Sequence, residues 1–102
     1  MVIVLGTIVL ESDAEASRLI EALVARATRS RADAGNLDYA FSRGLEDGRE
    51  IRLTEIWESE ALLMAHLQMP DESFAAALAT ARINSAKVTA YDGANARVLM
   101  QR

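Results

Sequence analysis

The chain has 102 residues and no cysteine, with 51% apolar and 25% charged side chains and a formal net charge of −4. That length suits one domain around one core, so a single unit over residues 1–102 is expected. The lack of cysteine excludes disulfides, thiolate catalysis and cysteine-ligated zinc or iron–sulfur sites, and an acidic balance with scattered arginines argues against nucleic acid as a partner.

The opening stretch MVIVLGTIVL has no basic flank and is too short to span a bilayer. No membrane segment or signal peptide is expected, and the protein is read as cytoplasmic. Abundant alanine, with arginine far outnumbering lysine, suggests a GC-rich bacterial genome. Val2 to Leu10 is apolar on both alternating faces, which predicts a central strand covered on both sides.

Ser12-x-x-Glu15 has the form of a capping box opening a helix, with Asp13 and Glu15 in its first turn. Ala16, Leu19, Ile20, Leu23, Val24 and Ala27 then repeat at helical spacing as one apolar stripe. Arg18, Glu21, Arg26 and Arg29 fall off that stripe and read as a solvated face. Gly35-Asn36 ends the connection, and Asn36 to Arg43 alternates, with Leu37, Tyr39 and Phe41 on one side. Asp47-Gly48 signals a hairpin. Glu50 to Glu58 returns, with Ile51, Leu53, Glu55 and Trp57 sharing one face. Ser59 caps a helix to about Gln68, Pro70 breaks it, and a second helical segment runs from Asp71 to about Arg82 with Phe74 and Leu78 on one side. Ser85 to Met100 reads as a long last strand interrupted near Asp92-Gly93.

This order, β, α, β, β, α(α), β, predicts an α+β fold of the ferredoxin-like split βαβ type: a four-stranded antiparallel sheet with helices on one face. Helices cover one side of such a sheet, yet the first strand is apolar on both. A bare apolar face is unusual on a soluble monomer. The pattern therefore predicts a homodimer whose sheet faces pack together as a dimeric α+β barrel.

Polar residues on the apolar faces are the candidates for chemistry. Glu55 shares the face of Trp57, so its carboxylate needs a partner or a proton; Arg43, Arg52 and Tyr39 are within reach of the pattern. It is either a structural ion pair or a group that orients a ligand. His66, the only histidine, borders the helical stripe. It is either a hydrogen-bonded boundary residue or a base, since imidazole is the one side chain that titrates unperturbed near neutrality. Trp57 is core or a flat wall for an aromatic ligand. Asn36 supplies a turn or a donor. Met64 and Phe74 are core or pocket lining. No GxGxxG, phosphate loop, GxSxG or HExxH occurs, and a single histidine without cysteine argues against an all-protein metal site.

Residues 34–67, AGNLDYAFSRGLEDGREIRLTEIWESEALLMAHL, resemble the antibiotic biosynthesis monooxygenase family of the dimeric α+β barrel superfamily. The matching pieces are Gly35-Asn36-Leu37-x-Tyr39, Glu55-x-Trp57-Glu58-Ser59-Glu60-Ala61-Leu62 and Ala65-His66. The resemblance implies a homodimer with a pocket between sheet and helices. Its relatives include cofactor-independent oxygenases of aromatic, quinol or polyketide-type molecules, and haem degraders that use a helix histidine as iron ligand. It also implies pocket roles for His66, Asn36 and Trp57. Glu55, Tyr39, Met64 and Phe74 are expected as further substrate contacts from their own places in the strand and helix patterns.

The chain departs from the family's pattern in three respects. Ser73 stands where a second histidine is common, Leu53 where the polyketide oxygenases often carry a polar residue, and Gly6 and Thr7 where the haem-degrading branch has an asparagine. Haem therefore ranks last. The reading that remains is an oxygenase of a hydrophobic aromatic molecule, needing no cofactor beyond molecular oxygen as co-substrate. Its alternative is a non-catalytic dimeric module that binds a hydrophobic small molecule.

Overall fold

The alternating and helical patterns resolve into seven elements in a computed structural model that describes residues 1–102. They are β1 (Val2–Leu10), α1 (Asp13–Ser30), β2 (Asn36–Arg43), β3 (Glu50–Trp57), α2 (Glu60–Gln68), α3 (Glu72–Thr80) and β4 (Ile83–Asp92). The strands form one antiparallel sheet in the order β2-β3-β1-β4. This is the expected ferredoxin-like α+β arrangement. No helix is long and apolar enough to cross a membrane.

Local chemistry sets the helix ends. Ser12 Oγ accepts the Glu15 N–H, Ser59 Oγ accepts the Leu62 N–H, and the Asp71 carboxylate accepts the Phe74 N–H; each cap satisfies a donor that the first turn leaves free. The first box is half made. Glu15 turns its carboxylate to Arg18 and to the Arg82 N–H instead of back to Ser12.

The core lies between the helices and one sheet face. Val2, Val4, Tyr39 and Trp57 from the strands meet Ala27 of α1 and Leu63 of α2. Leu10 and Ile51 meet Ala16, Leu19 and Leu23. The opposite face carries Ile3, Leu5, Thr54, Ile56, Thr89 and Tyr91 by register, with no helix over it. Leu5 there is 46% exposed. β1 is therefore central, but within one chain it is covered on one side only.

Four expectations need correction. Leu37 does not share the face of Tyr39 and Phe41: the register slips between Asn36 and Asp38, and this bulge turns Leu37 to solvent. Ile20 and Val24 lie at the exposed flank of the α1 stripe, while Ala16, Leu19, Leu23 and Ala27 are buried. Arg26 is not on a solvated face; it is 9% exposed. The last strand ends at Asp92, not Met100, because its ladder with β1 finishes at Val2 opposite Asp92 and closes with a pair of backbone bonds between Met1 and Gly93. No strand lies beside residues 94–102 to continue it.

Gly35 joins α1 to β2 with φ of 80°. A Cβ at this position would stand 2.9 Å from the Leu62 Cβ of α2. The Gly35 carbonyl also accepts the Glu58 N–H at 2.9 Å, so the turn is held at both sides. Gly35→Ala adds left-handed strain to a clash with the Leu62 side chain, and is expected to cost about 2–4 kcal/mol. Urea unfolding followed by far-UV circular dichroism measures it.

Candidate functional site

The largest buried polar cluster is centred on His66. α2 buries its Leu63 and His66 face against the sheet, leaving His66 2% exposed. Its Nδ1 lies 2.6 Å from Asp33 Oδ2, and its Nε2 lies 3.1 Å from Arg26 Nη2. A guanidinium only donates, so Nε2 accepts and Nδ1 carries the proton toward Asp33. The bonding pattern thus assigns a neutral imidazole of one tautomer.

Arg26 continues the network. Its Nη1 donates to Asp71 Oδ2 at 3.1 Å, and Arg29 Nη1 meets the same oxygen at 2.9 Å. The guanidinium carbon stands 4.9 Å from the Phe74 ring centroid, a cation–π contact. Arg26 Nε is buried with no partner. Burial works against the Asp71 carboxylate, yet the Phe74 N–H and the two guanidinium groups outweigh it and hold its pKa below the usual range.

β3 supplies the floor. Trp57 is 0% exposed, with its ring 4.6 Å from that of His66 at 35°. Its Nε1 donates to Glu55 Oε1 at 2.8 Å. Tyr39 stands opposite Glu55 on the ladder and meets His66 edge-on, 5.7 Å between ring centroids. Burial pushes the Tyr39 phenol pKa up, and the nearby Glu55 carboxylate adds to it.

Glu55 is 4% exposed. Its partner is Trp57, not Arg43 or Arg52, which bond Gly48 and Glu50 respectively. Burial raises its pKa above the ordinary glutamate value, against the opposing pull of the Trp57 N–H and the Arg26 charge. A raised carboxyl pKa means the folded chain holds a proton that the unfolded chain releases. The resulting penalty is absent below the unfolded pKa and grows as pH rises toward the folded one. Glu55→Gln keeps an acceptor for Trp57 and removes the titration. Its melting temperature relative to wild type is expected to rise from pH 4 to pH 7, read by thermal denaturation.

The candidates divide. His66, Trp57, Glu55, Tyr39 and Phe74 come together. Asn36 faces Trp57 across the ladder, but its Nδ2 is used locally, donating to the Asp38 carbonyl at 2.9 Å. Met64 is about half exposed, turned away from the face that buries Leu63 and His66. Arg26 and Asp33 belong to the site and were not among the candidates. Arg26 had a signal, since it lies three residues after Leu23 and seven after Leu19, on the buried side of α1. Asp33 lies in the turn after α1 and carries no periodicity. No cavity is lined by His66 or Trp57. The cavities on the helix side lie along α1 and β2.

Sheet order, helix placement and this cluster define an α+β domain of ferredoxin-like topology. The profile of the family described as "Antibiotic biosynthesis monooxygenase" matches residues 1–80, and the chain belongs to that family. A Deinococcus radiodurans protein named for the same family superposes with a TM-score of 0.86 at 29% identity, over 99% of this chain and 100% of that one. A Nitrosomonas europaea protein so named gives 0.79 at 16% identity, over 91% and 98%. SnoaB, a cofactor-independent oxygenase from Streptomyces nogalater, gives 0.66 at 14% identity, over 93% and 94%; at that identity it shares the fold alone. No curated protein matches the sequence.

Proposed function

We propose that the chain is a cofactor-independent monooxygenase of an aromatic, quinol or polyketide-like molecule. The observation that carries this reading is the line Asp33–His66–Arg26, with Trp57 stacked on the imidazole. Asp33 holds the proton on Nδ1, so the lone pair sits on Nε2, where a base is needed. Arg26 beside it can turn a donor from Nε2 to a substrate oxyanion, and its Nε is already without a partner. Asn36 enters only if it gives up its bond to Asp38.

Triplet oxygen reacts slowly with closed-shell molecules, so the substrate must serve as electron donor. Removal of a proton from an anthrone-type methylene or a phenol leaves an electron-rich anion. That anion passes one electron to oxygen, and the two radicals combine as a hydroperoxide. For a methylene substrate, loss of water from the hydroperoxide then leaves a carbonyl. One atom of the oxygen molecule stays in the product, and the other departs as water with the two methylene hydrogens. Oxygen uptake with anthrone as the substrate tests this. Wild type is expected to exceed the buffer rate, and His66→Ala to lower the enzymic part at least about tenfold, within the range of general-base catalysis. Unchanged uptake in His66→Ala rejects the role given to this residue.

One observation favours a second reading, a non-catalytic binding module. His66 and Trp57 are packed solid, with the Nε2 lone pair already taken by Arg26. Saturable anthrone binding without oxygen uptake above buffer selects that reading.

In either case we read the protein as a homodimer closed through the bare sheet face. Its support is the exposed apolar stretch around Leu5, Tyr91 and Ile3, together with β4, which no helix of its own chain covers on either side.

A further inference from the structure

A separate feature lies at the β2 edge of the sheet. α1 and β2 leave a cleft of about 190 Å³, lined by Ile20, Leu23, Val24, Phe41 and Ile51, with Arg43 also on its wall. A smaller hollow of about 80 Å³ continues it past Val24 and Phe41 to Arg31. Val24 is 59% exposed, so the cleft opens to solvent. It lies on the helix side and stays clear of the bare sheet face.

Arg43 is the informative residue. It stands opposite Ile51 in the ladder, a position that faces the helices. A cation at an apolar-facing position normally meets a carboxylate. Here all its partners are neutral: Nε donates to the Gly48 carbonyl at 2.7 Å, Nη1 to Ser17 Oγ at 2.9 Å and Nη2 to the Asp13 carbonyl at 2.9 Å. Those bonds hold the guanidinium in place and use three of its five donors. It forms no ion pair, and neither does Arg31, whose Nε donates to the Tyr39 carbonyl on the β2 edge. The Asp13 carboxylate packs against Gly48 and stays outside ion-pair distance of Arg43.

We infer that this cleft binds a flat apolar molecule carrying one negative charge, an aromatic carboxylate or its equivalent, with the ring on Phe41 and Val24 and the anion on Arg43. Apolar walls with one fixed, uncompensated cation are what such a ligand requires. This inference does not depend on oxygen chemistry at His66. Phe41 also touches both Tyr39 and Phe74, with ring centroids 5.7 and 6.3 Å away, so the floor of the cleft is continuous with the aromatic wall of the His66 cluster.

The test is a titration of isotope-labelled protein with 2-naphthoate, followed by amide chemical shifts, against the neutral analogue 2-naphthalenemethanol. Saturable shifts are expected at Ile20, Val24, Phe41 and Arg43, with naphthoate tighter than the alcohol by about fivefold or more. Arg43→Gln should remove that preference. Val24→Asp changes an exposed side chain, leaves the core untouched and places a like charge beside the anion. It should weaken naphthoate at least about tenfold. Equal affinity for the two probes, unchanged binding by Val24→Asp, or shifts outside the cleft would overturn the inference. So would shifts in the cleft that follow protein concentration without ligand, since a second copy would then be its occupant.

Discussion

Trp57→Ala is expected to cost about 3–5 kcal/mol, the range for truncating a fully buried aromatic residue. Trp57 is the largest side chain with no exposure, and it shares one cluster with Val2, Val4, Ala27, Tyr39 and Leu63. Four elements, β1, α1, β2 and α2, therefore lose their common contact at once. A domain of this size is held by roughly 5–15 kcal/mol in total, so a large unfolded fraction should accumulate in mild urea. Trp57→Phe separates packing from hydrogen bonding. It keeps a ring but removes the donor to Glu55, and is expected to cost about 1–3 kcal/mol at neutral pH. The Trp57 bond pulls the Glu55 pKa down; without it the folded-state value rises further. The part of the loss due to Glu55 should therefore be present above the unfolded glutamate pKa and vanish below it. Urea melts by far-UV circular dichroism at pH 4 and pH 7 read both effects. A Trp57→Phe cost that does not change with pH would break the assigned link to Glu55.

Leu5→Lys is expected to turn the proposed dimer into a folded monomer. Leu5 stands in the middle of the bare face, between Thr54 of β3 and Thr89 of β4. In the single chain its side chain is already half in water, so the substitution should leave the fold intact. In a face-to-face dimer the added ammonium would lie between two sheets with no carboxylate opposite. Burying an unpaired charge costs several kcal/mol per ion, and a two-fold interface would carry two. Sedimentation velocity at micromolar concentration should give a dimer for wild type and a monomer for Leu5→Lys, with matching far-UV spectra. A wild type that sediments as a monomer removes the dimer from the proposed function.

Much of the His66 cluster could be read before any coordinates, because its parts obey strand and helix periods. Glu55 and Trp57 share one alternation class, Tyr39 faces them across the hairpin, and His66 falls on the buried side of α2 three residues after Leu63. Arg26 shows how composition misleads. A lysine or arginine on a helix is ordinarily a surface residue, and its spacing from Leu19 and Leu23 was the weaker signal against that habit. The Asn36 amide and the Leu37 side chain went elsewhere because a one-residue bulge in β2 reverses which side a strand residue faces.

Chain order, caps, alternation and helical spacing were enough to specify four strands, their helices and a ferredoxin-like sheet, since these depend on neighbours within a few residues. The pairing of Asp33 with His66, the burial of Arg26 between His66 and Asp71, and the unpaired Arg43 over the α1–β2 cleft could not be read that way. They join residues far apart in the chain, and only the folded packing of helices on the sheet brings such groups within hydrogen-bond distance.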